Sequence, residues 1–513
     1  MVMVSRLNPG VGFVPGGMIV GTALWASWGV FAVGLPIALA LWFIERLRHR
    51  PGGGRAGWPA PVLTAAVYLL AAVLSRVNAD IHPEFLSGSA HRILGQDAIA
   101  WAIGAVLALV VGAMLRHAGA SKLHRFGFGL FFVLLPLVRL VWQPTPPQSH
   151  DQMVPRPLGA TSGSVVVIGV EGLDSGVLIG QSLDARTPRL RALLSGGAWG
   201  PLHPIHPYLR DSLWTTLATG AEPGRHGVKA SRAWSLPRVF EGPLLLLPWT
   251  PQGSRLILPW WCARRVEPPA AGLPPLWSRL AVSGVGTRVV GWPGLWPPSS
   301  VELPAEGSTG GVDPGESRQP TELEEALADF PEARDPILRT IARDEWTIQR
   351  AAESLAGGDR DVWVNLEEIA VVRRFLEPRR SLDTRERQIV DLVLELLDHQ
   401  VGRLVDLVPA NGVVVLVSPY GMARPGPLEH VRRLVGIGGS WRAAPDSLPD
   451  GVLLMVSPGV RPGHRFPGAD VTDVVPTLCY LLGLPVAQYM EGRIVLDALD
   501  PQWVANHSLR VVD

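Results

Sequence analysis

The chain has 513 residues, with 46 Lys and Arg against 45 Asp and Glu, for a net charge of +1. So even a balance argues against nucleic acid as a partner. Two cysteines, Cys262 and Cys479, exclude a disulfide-built scaffold and any Cys-based zinc pattern. Cys479 sits in the apolar run VVPTLCYLLGL. Two buried thiols and a Cys262–Cys479 disulfide outside the cytoplasm both remain open.

The apolar excess is concentrated in the first 143 residues. A helix needs about 20 apolar residues to cross a bilayer, and four segments meet or approach that: 17–44, 61–77, 98–115 and 126–142. The second is the shortest. The first is too long, and too poor in a cleavage site, for a signal peptide. Arg46, Arg48, Arg50 and Arg55 follow the first segment, and Arg116, Lys122 and Arg125 follow the third, which predicts that both loops are cytoplasmic. The stretch after the second mixes Arg76 and Arg92 with Asp80, Glu84 and Asp97, and is predicted outside. Four crossings then put the N-terminus and the C-terminal bulk outside. The centres of the segments are almost free of charge, which disfavours an ion pathway. The expected roles are an anchor in the lipid bilayer or a docking surface for other membrane protein subunits.

Residues 144–162 are a proline-rich linker. Beyond it, SVVVIGVEGLD reads as a buried parallel strand ending in a glycine turn, with a helix over TPRLRALLSGG. GTRVVGWPG, DVWVNLEE and NGVVVLVSPYG repeat the strand pattern, separated by helical stretches such as TELEEALADF and RQIVDLVLELLDHQVGRLVDLV. The alternation predicts an α/β domain over 163–513, with a mostly parallel sheet between helices. Its site belongs at the carboxyl ends of the strands. An insert at 234–275 holds LLLLPW and LILPWW, with Arg255, Arg264 and Arg265 nearby. It is expected either in the core or as an exposed patch facing lipid or another subunit.

The order of these segments resembles the alkaline phosphatase superfamily, near its type I phosphodiesterase/nucleotide pyrophosphatase branch, over about residues 163–498. VVVIGVEGLD looks like the opening strand and first metal-binding turn, and GPLHPIHPYLRDSLWTTLATGAEPGRHGV like the nucleophile helix and the turn after it. VVVLVSPYGM stands where the family has a strand followed by Ser-Asp-His-Gly. The resemblance implies two metal ions, usually zinc, and a Ser or Thr nucleophile.

Carried over residue by residue, the implied chemistry thins out. The aspartate ligand after the first strand is Glu171. The nucleophile position, ten residues before Gly220, is Arg210, which stays protonated; Ser212 is two places away. The Asp and His of Ser-Asp-His-Gly are Pro419 and Tyr420. The Asp-x-x-x-His pair is Ile369 and Arg373, and the final histidine is replaced near Trp441. No metal or other cofactor is therefore expected; zinc or manganese belongs to the alternative of an active phosphodiesterase or headgroup transferase with unusual ligands. Arg210 is expected to pair with Glu171 in place of a cation, or to hold an anion at the start of its helix. His203 and His206, or Glu367 and Glu368, are further candidate ligands. His226 is implied to be a structural turn residue, Asp174 a helix cap, and Asp470 and Asp473 residues at a helix start. The sequence thus predicts a catalytically silent, membrane-anchored hydrolase relative on the outer face of a bacterial inner membrane, with a binding or structural role.

Overall fold

A computed structural model describes residues 2–9, 11–17, 19–21, 60–119, 121–142, 153, 156–157, 163–182, 186–206, 208–229, 232–246, 263–265, 272–294, 302, 319–376, 384–422 and 449–512. Contacts divide the chain into two compact units. One comprises residues 1–149 with 230–267, the other 150–229 with 268–513.

Among the described residues, the long helices of the first unit are α1 (Ala60–Ile81), α2 (Gly88–His117) and α3 (Lys122–Trp142). Among the described residues, α1 and α2 are long and apolar enough to cross a membrane. The expected segment 61–77 is thus part of a longer helix, whereas all of 17–44 except residues 17 and 19–21 lies outside the described residues. Helices α1 and α2 pack so closely that a Cβ on Gly104 would stand 2.4 Å from the Tyr68 ring, and one on Gly112 2.2 Å from Pro61. Small residues at such crossings let backbones approach where apolar burial offers little drive. In α3, Pro136 has no N–H for the carbonyl of Phe132 four residues back. The Tyr68 hydroxyl donates to that oxygen instead, at 2.6 Å. Val67, Val73, Ile103, Val106, Val110 and Phe131 point outward and are exposed.

One ionic cluster of this unit is buried. Asp97 of α2, 1 % exposed, accepts from Arg6 Nε at 3.0 Å and Arg139 Nε at 2.7 Å. Asn78, near the end of α1, meets Met3 Sδ at 3.3 Å. The triad stands at the helix ends, with Asp97 in the first part of α2 and Arg139 near the end of α3, away from the centres that the sequence leaves almost uncharged.

Of the insert's apolar runs, Leu244 and Leu246 of LLLLPW are buried, and LILPWW lies outside the described residues. Val239, Phe240 and Leu244 are buried with Val4, against Val11 and Phe13 of the N-terminal segment.

The second unit holds an eight-stranded sheet: β1 (Val165–Val170), β2 (Ala198–His203), β3 (Thr287–Val290), β4 (Asp361–Leu366), β5 (Val413–Ser418), β6 (Gly451–Val456), β7 (His464–Arg465) and β8 (Ala469–Asp470). The order is β8-β2-β6-β5-β1-β4-β3, with β7 also on β2. Val165 of β1 stands between Val413 and Asp361, both in parallel register. Only β6 runs against its neighbours, β5 and β2. β2 is a strand the sequence reading missed; its Gly200 and Pro201 hide the pattern. Every residue of β1, β4 and β5 is buried, as a sheet covered on both faces requires.

Helices α4 (Ser175–Ser182), α5 (Pro188–Gly196), α6 (Arg210–Thr219), α7 (Leu276–Val282), α8 (Pro331–Ala356), α9 (Glu368–Leu376), α10 (Thr384–Val405) and α11 (Val474–Leu481) supply the cover. Val362 and Val364 of β4 join the core with Ile348 of α8, Val372 of α9 and Leu397 of α10. Trp363, between them, points to the opposite face, as strand alternation demands. There it meets Trp277 and Trp292 edge-on, at 5.1 and 5.3 Å. Trp214 of α6 lies against β1, where a Cβ on Gly169 would come within 2.7 Å of its ring. That glycine lets α6 approach the sheet and so sets where Arg210 begins.

Candidate functional site

The carboxyl ends of β1, β4 and β5 and the start of α6 converge on one crevice. β1 runs into Glu171, whose N–H is held by Leu366 O at 2.8 Å. Gly172 follows with φ 78°, a conformation that favours glycine. Asp174 then caps α4, accepting from Val177 N at 3.0 Å. β4 ends at Glu367 and Glu368, whose N–H groups both donate to Asp344 Oδ2 of α8, at 2.7 and 2.8 Å. That carboxylate satisfies donors at the start of α9.

Opposite charges alternate through the crevice. Arg210 Nε donates to Glu171 Oε1 at 2.7 Å, and its Nη2 lies 2.5 Å from the same oxygen. The same Nη2 pairs with Glu367 Oε1. The other oxygen of Glu367 takes Arg343 Nη2 at 3.0 Å. Glu171 is buried, and both of its oxygens accept: Asn365 Nδ2 reaches Oε1 at 3.3 Å and the Tyr420 hydroxyl donates to Oε2 at 2.8 Å. The Tyr208 ring lies 4.4 Å from that of Tyr420.

The ionisation states follow. Burial opposes charge on Arg210, but Glu171 and Glu367 outweigh it, so its pKa stands well above the ordinary arginine value. Burial pushes Glu367 up, yet Arg210 and Arg343 hold it below the usual carboxylate value. Burial, with Glu171 alongside, drives the Tyr208 and Tyr420 phenols well up, so both stay protonated, and Tyr420 donates to Glu171. Arg373 faces the other side of the β1 turn, donating from Nη1 to Gly172 O at 2.6 Å and Asp174 Oδ2 at 2.7 Å. A cleft of about 570 Å³ opens there, lined by Asp174, Ser175, Arg373, Met422 and Asp450.

The remaining candidates are dispersed. Ile369 is buried in the hydrophobic core beneath α9. Pro419 offers no donor atom for a metal, and Trp441 lies outside the described residues. Ser212 is buried at 1 % exposure, with no hydrogen-bond partner for Oγ among the described residues. His203 pairs with Asp450 at 3.0 Å, and His226 is buried against Thr216. Glu367 lies in the crevice, while Glu368 is fully buried, where burial and Asp344 push its pKa well up. Asp470 and Asp473 form a reciprocal cap ahead of α11. Cys479 is buried in α11, which raises its thiol to about 12; Cys262 lies outside the described residues. Sequence reasoning missed Tyr208, Arg343, Asp344 and Asn365. A polar Asn365 inside the apolar strand DVWVNL was a signal; Arg343 and Asp344 gave none.

The family model described as type I phosphodiesterase / nucleotide pyrophosphatase matches residues 165–439, more than half of the chain. The chain belongs to this family, a branch of the alkaline phosphatase superfamily. No curated protein matches it significantly. Among solved structures it is similar to murine ectonucleotide pyrophosphatase/phosphodiesterase 5, at 13% identity over 66% of this chain and 100% of that one, with a TM-score of 0.38. A putative sulfatase from Bacteroides thetaiotaomicron matches at 14% identity over 65% and 73%, with a TM-score of 0.43. The alkaline phosphatase PafA matches at 13% over 68% and 100%, with a TM-score of 0.39.

The two metal ions implied by the family fit poorly with the described residues. No group of three or more His, Cys, Asp or Glu side chains gathers among them. The one retained carboxylate ligand position, Glu171, already accepts from three side chains.

Proposed function

We propose that this protein is a membrane-anchored, catalytically silent member of its family, and that its outer domain binds other membrane protein subunits or the lipid surface. The observation that carries this reading is Arg210. At the position the resemblance gives to the nucleophile stands a guanidinium, held between Glu171 and Glu367. A permanently protonated group cannot attack an ester. It also places positive charge on a carboxylate that would otherwise be buried uncompensated. Asn365 and Tyr420 add neutral donors, one to each oxygen of that carboxylate.

A four-span anchor with the domain on the outer side of a bacterial inner membrane completes the proposal. Met3 and Arg6 meet the end of α1, the start of α2 and the end of α3 through Asn78, Asp97 and Arg139. Both chain ends of the helical unit thus belong to one face. The apolar run 17–44, nearly all of it outside the described residues, supplies the remaining span of this proposal.

The test is purification of the full chain in mild detergent, assay with a chromogenic phosphodiester in the presence of zinc or manganese, and identification of co-purifying proteins. No turnover with a stoichiometric membrane partner is expected. Metal-dependent turnover would overturn the reading.

A further inference from the structure

The turn between α2 and α3 concentrates positive charge. Residues 116–125 read RHAGASKLHR, with Arg116, Lys122 and Arg125, two histidines and no acid. No Asp or Glu occurs in the sequence between Asp97 and Asp151. The other helix ends differ. There Arg76 pairs with Asp80 at 2.8 Å, and Arg6 and Arg139 share Asp97.

The fold gathers this stretch into one layer. Phe128 and Phe132 of α3 are buried with Trp101, Ala105 and Ala108 of α2, so the two helices form a hairpin. The last turn of α2 therefore stands beside the first turn of α3. Gly119 takes φ 59° in the short link, a conformation that favours glycine. Gly119 N donates to Arg116 O at 3.3 Å, and Ser121 Oγ meets His124 Nδ1 at 2.8 Å. Arg116 and His117 close α2, while Lys122, His124 and Arg125 open α3, and all of them are exposed. At about 1.5 Å of rise per residue they occupy a layer about 5 Å deep. The headgroup region of a bilayer is of the same order, roughly 5–7 Å on each side of a hydrocarbon core of about 30 Å. Met114, Leu123 and Phe126 flank the layer at 64, 77 and 68 % exposure. Large apolar side chains set among exposed cations match acyl chains lying beneath phosphate, and give a soluble polyanion nothing to bind.

We propose that this turn is a docking surface for the headgroups of acidic phospholipids, with Arg116, Lys122 and Arg125 on the phosphate and Met114, Leu123 and Phe126 against the upper acyl chains. The proposal rests on the membrane-anchored reading and adds to it a lipid class and a place on the helical unit. The Lys and Arg asymmetry puts this end on the cytoplasmic side, where the leaflet surface is negative.

The test uses the full chain in nonionic detergent, offered equal amounts of phosphatidylglycerol and phosphatidylcholine, with retained lipid counted by native mass spectrometry. Both lipids carry a phosphate, and only the first has a net charge. Phosphatidylglycerol should be retained about fivefold or more over phosphatidylcholine, since one basic group at an anionic surface is worth about that factor. An Arg116→Gln/Lys122→Gln/Arg125→Gln variant should lose most of that preference. Arg76→Gln, at a position paired with Asp80, should keep it. Glycerol phosphate, which has no acyl chains, should not displace the lipid; displacement would mean a site for free anions and overturn docking to a bilayer. Flotation with phosphatidylcholine vesicles separates this proposal from the anchor, and both the unaltered chain and the triple variant should float. A chain that floats without the preference, or a triple variant that keeps it, overturns the docking surface alone. A chain that does not float overturns the anchor and the docking surface with it.

Discussion

The crevice of the sheet domain and the Asp97 cluster of the helical unit solve one electrostatic problem in two ways. In each, a carboxylate lies buried and arginine neutralises it. In the crevice Arg343, Glu367, Arg210 and Glu171 alternate in a row, and Arg210 keeps a third of its side chain in solvent, at 36 % exposure. In the helical unit a single Asp97 takes two arginines, and Arg6 is wholly enclosed at 0 %. Solvent screens the first arrangement and hardly touches the second, so equivalent deletions should not cost the same.

The sharpest test of that contrast is Asp97→Ala. It strands Arg6 without its carboxylate and should lower stability by about 3–5 kcal/mol, the range for breaking a buried pair, read as a lower midpoint of thermal unfolding in detergent. Arg210→Ala should cost less, about 2–3 kcal/mol, because water reaches its side chain and softens the loss. Combining it with Glu171→Met should recover most of that loss, since an apolar replacement removes the stranded charge along with its partner. Equal costs for Asp97→Ala and Arg210→Ala would break the comparison. Tyr420→Phe removes one donor from Glu171 Oε2 and should cost about 1–2 kcal/mol in the same assay.

A further effect concerns pH, in a group without an arginine. Burial pushes Asp361 up to about 7 from 3.8, against the pull of hydrogen bonds from Trp363 and Thr287. The folded chain then holds a proton that the unfolded chain releases, so stability falls as pH rises from about 4 to about 7. Asp361→Asn should flatten the unfolding midpoint in that window. An unchanged slope would mean Asp361 is ionised in the fold.

The two regions also differ in how much of them could be read from sequence. Strands β1, β4 and β5 announce themselves through unbroken Val, Ile and Leu, because a strand covered on both faces must be apolar throughout. The Glu171–Arg210 contact could be anticipated, since the family's segment order puts the end of β1 beside the start of α6. The Arg6–Asp97–Arg139 triad could not: no periodicity links an arginine near the N-terminus to an aspartate ninety residues on. The insert's packing escaped for the same reason. LLLLPW is apolar enough to be buried somewhere, but composition does not say against what, and its neighbours, Val4, Val11 and Phe13, lie more than two hundred residues away. β2 was missed because its glycine and proline disguise a strand that ordinary alternation would have revealed.

The central claim is that a guanidinium has taken the place of metal in the crevice. Metal-to-protein stoichiometry measured on the full chain, after growth in zinc-supplemented medium and gel filtration in detergent, addresses it most directly. The prediction is no zinc or manganese above the background of a Glu171→Gln variant. Two ions per chain, lost in that variant, would contradict it.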